Sequence, residues 1–208
     1  MRQRRTIPDS DWRDGFIFVG NHLALDFLNT RPIQNGNATE LLSDFGALLR
    51  WFHAAGLLSS NEMTSLQRRS GQSSTARTLD AIREFREKLR KEIIAWEGGA
   101  DVRRSTVEEL NQLMAAHPML SKLQERGSLP SLELWFEPRH PEDLFAPLAY
   151  GAAKLFADVD HTRVRKCGQC VLHFYDTSKK GTRRWCSMQL CGNRHKVAAY
   201  AARQLLNT

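Results

Sequence analysis

"RKCGQCVLHFYDTSKKGTRRWCSMQLCGNRHK" occupies residues 165–196 and decides how the chain divides. It holds all four cysteines of the 208-residue sequence. Cys167 and Cys170 enclose two residues, Cys186 and Cys191 enclose four, and fifteen separate the pairs. Two close pairs across a hairpin-length spacer suit a tetrahedral metal, because each pair bites from a tight turn and the spacer lets the chain return. A redox dithiol fits poorly, since no βαβ context surrounds the first pair and two further cysteines follow. A thiol nucleophile beside His173 or His195 has only Asp176 nearby in sequence to orient its base. Two disulfides need an oxidising compartment. The expectation is one structural Zn2+ per chain on Cys167, Cys170, Cys186 and Cys191. His173 or His195 can replace a cysteine in such sites, but four thiolates already complete the shell. A closed shell leaves no position for catalysis, so the chain is not expected to be an enzyme.

Charge separates the same region from the rest. From His161 onward there are ten Lys or Arg and one acid, a net of +9 in a chain whose total is +7. Residues 1–160 are therefore left near −2. A near-neutral body with a basic tail points to a polyanion partner, nucleic acid before membrane. The loop "SKKGTRR" (178–184) suits phosphate contact through Lys179, Lys180, Arg183 and Arg184. In a closing helix over 193–206, Asn193, Lys196, Tyr200 and Arg203 share one stripe. Asn193 and Arg194 either read base edges or brace the last ligand. Phe174, Tyr175 and Trp185 offer faces on which single-stranded RNA bases could stack.

Upstream, the pattern is helical. Helices are expected over 21–32 (ended by Pro32), 40–56 (closed by Gly56), 59–70, 76–99, 105–118 and 141–159. Ser59 with Glu62 forms a capping-box pattern, and Ser105 opens another cap signature. "FIFVG" (16–20) reads as a strand and "QNGN" (34–37) as a turn. Alternation in "PSLELWFEP" (130–138) gives a strand, paired with 119–128 through Gly127. In the tail, "VLHFYD" and "RRW" read as strands around the "SKKG" turn. Together these give a mainly α fold with a small β component (α+β). A helical body over 1–160 carries a short hairpin. A zinc-ribbon or treble-clef-like module over 161–208 ends in a helix.

Within the body, His22, Asp26 and Asn29 fall on one side of the first helix. With Arg83 they form a candidate ligand pocket, against the commoner reading of caps and satisfied core hydrogen bonds. An enzyme site on His22 and Asp26 lacks any recognisable catalytic spacing. Arg86, if buried, is a candidate partner for Asp26 or for an anionic effector. No apolar run approaches a membrane span, and the opening "MRQRRTIPDSDWRDG" lacks the apolar core of a signal peptide. A cytoplasmic protein of bacterial style, with no membrane partner, is expected.

The stretch "WCSMQLCGNR" (185–194), with the literal Cys191-Gly192-Asn193-Arg194 and the upstream "CGQC" at 167–170, resembles the CGNR zinc-finger family. "GNHLALDFLNT" (20–30) resembles the start of the ABATE domain, which accompanies this finger in proposed stress-induced transcription regulators. The resemblance implies a helical body that senses an effector or forms a homodimer. It also implies a zinc module that binds duplex DNA.

Overall fold

The computed structural model describes residues 11–34, 37–126, 129–193 and 197. Its longest element is α4 (Gln72–Glu97), which buries Leu79, Ile82, Phe85, Arg86, Leu89, Ile93 and Trp96. That three-or-four spacing marks one helical face, as the sequence predicts. Around it pack α1 (Leu23–Leu28) and α2 (Phe45–Ala54), with α3 (Ser60–Arg69) against α2 and α5 (Arg104–Ala116) against α6 (Phe145–Asp158). α1 is the central contact of the fold, touching α4, α6 and the tail strand β8 (His173–Tyr175). Aromatic rings fill the centre. Phe27 lies 5.7 Å from Trp51 and 6.3 Å from Phe85, which meets Phe145 edge-on. The fold is mainly helical with four antiparallel strand pairs among the described residues, an α+β arrangement. The first two pairs are β1 (Trp12–Arg13) with β2 (Phe16–Ile17) and, after α1, β3 (Ile33–Gln34) with β4 (Asn37–Ala38).

Local chemistry sets most helix ends. Ser59 Oγ accepts the Glu62 N–H while Glu62 accepts that of Ser59, the predicted capping box. Gly56 takes a positive φ of 78° after α2, a conformation that favours glycine. Five starts differ from expectation. α1 begins at Leu23 rather than 21 and already ends at Leu28, short of Pro32, and α6 begins at Phe145 after a 3-10 turn over Pro141–Leu144. α2 begins at Phe45 rather than 40, because Asp44 caps it through the Ala47 N–H at 2.7 Å. α4 begins at Gln72, a turn before the expected start. α5 is capped at Arg103, not Ser105. The buried Glu92 carboxylate of α4 takes the Arg103 N–H at 2.7 Å. A partner from another helix replaced the local Ser signal. Pro147 sits in the first turn of α6, where its missing N–H costs little.

The hairpin is as predicted, β5 (Leu120–Arg126) against β6 (Leu129–Trp135). The tail strands are not. β8 pairs with β7 (Val164–Lys166), and "RRW" joins no ladder. Asp176 supplies the reason. Its buried carboxylate accepts the N–H groups of Ser178 and Arg183 at 2.9 and 2.8 Å, so Arg183 has no N–H left for a strand partner.

The N-terminal stretch "FIFV" is shared by two cores. Phe16 and Phe18 pack into the helical core, while Ile17 and Val19 pack with Cys167, Leu172, Phe174, Cys186 and Cys191. An extended chain points alternate side chains to opposite faces. Here each face belongs to a different cluster. No helix among the described residues is long and apolar enough to cross a membrane.

Candidate metal centre

Hydrogen bonds across the first cysteine turn and the approach to the second bring the two pairs together. The Cys167 N–H donates to Leu172 O at 2.9 Å, closing the first turn between β7 and β8. The Gly168 N–H donates to Arg184 O at 3.0 Å, drawing the second pair alongside. A Cβ at 168 would come within 3.1 Å of the Trp185 ring, so a larger residue there needs the ring to shift by a few tenths of an ångström. After Cys186 the chain makes a short wide-turn helix, Met188–Gly192, capped by Ser187 Oγ through the Gln189 and Leu190 N–H groups. Ser187 Oγ also hydrogen-bonds the Asp11 carboxylate. This turn returns Cys191 to Cys186.

All four Sγ atoms lie within 4.8 Å of one another. Cys170 Sγ to Cys186 Sγ is 3.7 Å and Cys186 Sγ to Cys191 Sγ is 3.6 Å. Tetrahedral Zn–S bonds of about 2.3 Å require sulfurs about 3.8 Å apart, so the donor set fits. Disulfides, with S–S near 2 Å, are excluded by these distances, and all four cysteines are free. Without a cation the thiols cannot ionise together. Hydrogen bonding to Cys167 pushes Cys170 up to about 12 and Cys186 further up, while the same bonds hold Cys167 far below its usual value. A divalent ion would relieve that conflict by stabilising every thiolate. His173 stands outside the cluster. It is buried, with Nδ1 at 3.2 Å from Glu97 Oε2. His195 lies outside the described residues.

The basic loop is held by the module's own arginines. Arg163 donates to Ser178 O at 3.0 Å and Arg165 to Gly181 O at 2.8 Å. Burial opposes ionisation of Asp176, but the Ser178 and Arg183 hydrogen bonds prevail and keep it below its usual value. Lys179, Lys180 and Arg184 are exposed, with Arg184 lying 5.5 Å over the Trp185 ring. Arg183 is engaged within the module. Its guanidinium lies 4.6 Å over Phe174 and donates to the carbonyls of Trp185 and Cys186. It braces a ligand cysteine, the role weighed for Asn193 and Arg194. Asn193 is exposed, and its N–H bonds Met188 O. Arg194, Lys196 and Arg203 lie outside the described residues. Phe174 is fully buried beneath Arg183, so it offers no stacking face.

Of the proposed pocket residues, Asp26 lies in α1, His22 and Asn29 cap its two ends and Arg83 lies in α4, and none of them lines a described cavity. His22 caps its own helix, with Nδ1 accepting the Ala24 N–H. Asn29 clamps β8, donating to His173 O and accepting the His173 N–H, both at 2.9 Å. Arg83 holds the carbonyls of Leu42 and Ser43 at 2.6 and 2.9 Å. Arg86 pairs with Glu40 and Glu87, not Asp26. Asp26 accepts the Gly20 N–H at 2.7 Å. Any Cβ at Gly20 would lie 2.8 Å from Asp26, so only glycine fits. Gly20 O in turn accepts the Tyr175 N–H, and Glu97 takes the Lys166 N–H at 2.7 Å. These are the residues that dock the module to the body.

Burial raises the Asp26 carboxyl to about 7, outweighing the Gly20 N–H, the Arg13 charge and the Val19 N–H that favour its anion. The folded state therefore binds the proton more tightly than the unfolded chain. Stability from that proton is complete below the unfolded value near 4 and is lost as pH rises through about 7. Between pH 5 and 8 the loss is on the order of 2 kcal/mol. Asp26→Asn is expected to remove this component. Urea midpoints of wild type and variant across that range check it, and parallel pH curves would refute it.

A helical body and a small β module closed on four cysteine sulfurs together define a zinc-finger protein. Comparison with known families places it further. Residues 163–204 match the CGNR zinc finger, and residues 21–159 match ABATE, described as "Putative stress-induced transcription regulator". The second match spans more than half of the sequence, and the chain belongs to the ABATE family. A comparison with curated proteins found no match.

Proposed function

We propose that this protein is a DNA-binding transcription regulator, with one structural Zn2+ per chain on Cys167, Cys170, Cys186 and Cys191. The ion supplies folding energy to a module whose own core is small, and its closed shell leaves catalysis no open position. The family assignments support the regulator reading. The observation that carries DNA contact is the 178–184 loop. Its backbone is tied down by Asp176, Arg163 and Arg165, while Lys179, Lys180 and Arg184 remain in solvent. A rigid cationic loop contacts phosphates without the entropy loss of ordering.

The test is fluorescence anisotropy with a duplex DNA between about 50 and 200 mM salt. Neutralising Lys179, Lys180 and Arg184 together is expected to weaken binding at least about tenfold and to reduce the salt slope by about 2 to 3. Zinc content should not change, because Arg183, which braces Cys186, is left intact. Unaltered affinity and slope would sink the reading. Binding of single-stranded RNA in preference to duplex would favour the RNA alternative, whose stacking platform is weakened by the burial of Phe174.

A further inference from the structure

A cleft of about 640 Å3 lies on the seam between body and tail, and His22, Asp26 and Arg83 are not in its lining. Arg31, Glu87, Arg90, Ile94 and Glu97 line it from the body, Ile33 and Ala38 from the hairpin after α1, and Lys166, Val171 and His173 from the module. That size suits a small organic molecule.

Its charges do not cancel. Glu87 is shared by Arg31 at 3.3 Å, Arg86 at 3.0 Å and Arg90 at 3.2 Å. Arg86 is also matched by Glu40, which leaves Arg31 and Arg90 with one carboxylate between two guanidiniums, and Arg90 Nη2 additionally donates to Leu28 O at 2.6 Å. Glu97 is committed, with one oxygen on the Lys166 N–H and the other beside His173. The Lys166 ammonium is exposed and has no acidic partner among the described residues. The floor holds a second unmet group. His173 is 3% exposed, and its Nδ1, though near Glu97, makes no aligned hydrogen bond. The walls are apolar, with Ile33 50% and Ile94 51% exposed. Three cations, Arg31, Arg90 and Lys166, share the lining with two solvent-open isoleucines, which matches a molecule with a negative head and an apolar body.

We infer that the seam cleft binds a small organic carboxylate, its anionic head on Arg31, Arg90 and Lys166 and its apolar part between Ile33 and Ile94. The occupant bridges the body and the module, because the lining comes from both. Its acting as an effector rests on the regulator reading, but its binding does not.

Isothermal titration of the full, metal-loaded chain tests it with benzoate, 2-naphthoate and octanoate, and with 2-naphthalenemethanol as the neutral counterpart. At least one carboxylate should bind saturably at concentrations below about 10 mM, with the alcohol about tenfold weaker or worse. Arg31→Gln combined with Lys166→Gln should weaken the carboxylate by about tenfold with little change in the thermal midpoint, because Lys166 is exposed and the Arg31–Glu87 pair, with Arg31 42% exposed, is a surface pair that contributes little to stability. Ile94→Glu, at an exposed position, should abolish binding in a folded chain. Failure of all three acids to bind, equal binding of the alcohol, or indifference to these changes would overturn the inference. DNA affinity with and without the bound acid is measured separately. A chain that binds the acid but no DNA would refute the regulator reading and leave the cleft standing.

Discussion

Chelating the metal, or replacing Cys186 with Ser, is expected to unfold residues 161–193 and to leave the body helical but less stable. Metal binding by such four-ligand modules contributes on the order of 10 kcal/mol of folding free energy. The module has little to replace it. Its cluster is Leu172, Phe174 and the cysteines, completed by Ile17 and Val19 from the N-terminal strand. That sharing carries the loss into the body. Two aliphatic side chains re-exposed cost about 3 kcal/mol, near 10 °C in midpoint for a chain of this size. Phe16 and Phe18 keep their contacts on the other face, so the helices persist. Hydrogen exchange should show protection lost at Val164–Lys166 and His173–Tyr175 on chelation, while α4 stays protected. Calorimetry should show the body melting earlier. Unchanged protection across β7 and β8 in metal-free protein would refute the structural role of the ion.

The sequence announced this centre because its signal is local. Two cysteine pairs declare their spacing whatever the rest of the chain does. The capping box at Ser59 and the apolar stripe of α4 were legible for the same reason. The docking of the module was not. Asn29 reaches His173 across 144 residues, and such a contact leaves no period or motif. The alternation in "FIFV" was visible as a strand, but a strand with a different core on each face looks like any other. The sequence spacing puts His22, Asp26 and Asn29 on one helix, but only Asp26 lies within α1, with His22 and Asn29 as its caps. α1 has only six residues, so His22 serves its start, Asp26 the chain before it and Asn29 the strand beyond. Arg183 looked like its neighbours in a run of positive charge. Only the fold shows it turned inward over Phe174. The seam cleft draws residues from across 31–173 and could be found only in three dimensions.

Arg86→Met is expected to destabilise the body by about 3 to 5 kcal/mol, the usual cost of breaking a buried pair from one side. The residue is 1% exposed, and each arm of its guanidinium is occupied. Nε donates to Glu87 at 3.0 Å, and Nη1 donates to Thr30 and Glu40, both at 2.8 Å. Nη2 completes a two-pronged grip on the Glu40 carboxylate. Burial alone would depress its ionisation, yet the Glu40 and Glu87 bonds keep it charged. The fork ties the segment after α1 to the middle of α4, one turn from where Arg83 holds Leu42 and Ser43. Lysine keeps the charge but cannot fill four bonds in that plane, so Arg86→Lys should still cost about 2 kcal/mol or more. Glu40→Gln should cost less than Arg86→Met, since Glu40 is 29% exposed and Glu87 remains to match the guanidinium. The double variant should fall short of the sum, because each single change already breaks the same pair. Urea denaturation of wild type and the four variants decides it. A lysine variant as stable as wild type would show that charge alone, not the fork, holds these elements together. Glu87, released from Arg86, would turn more fully to Arg31 and Arg90. Carboxylate binding in the seam cleft should therefore weaken in Arg86→Met even where the body stays folded, because the excess positive charge there depends on Glu87 being divided three ways.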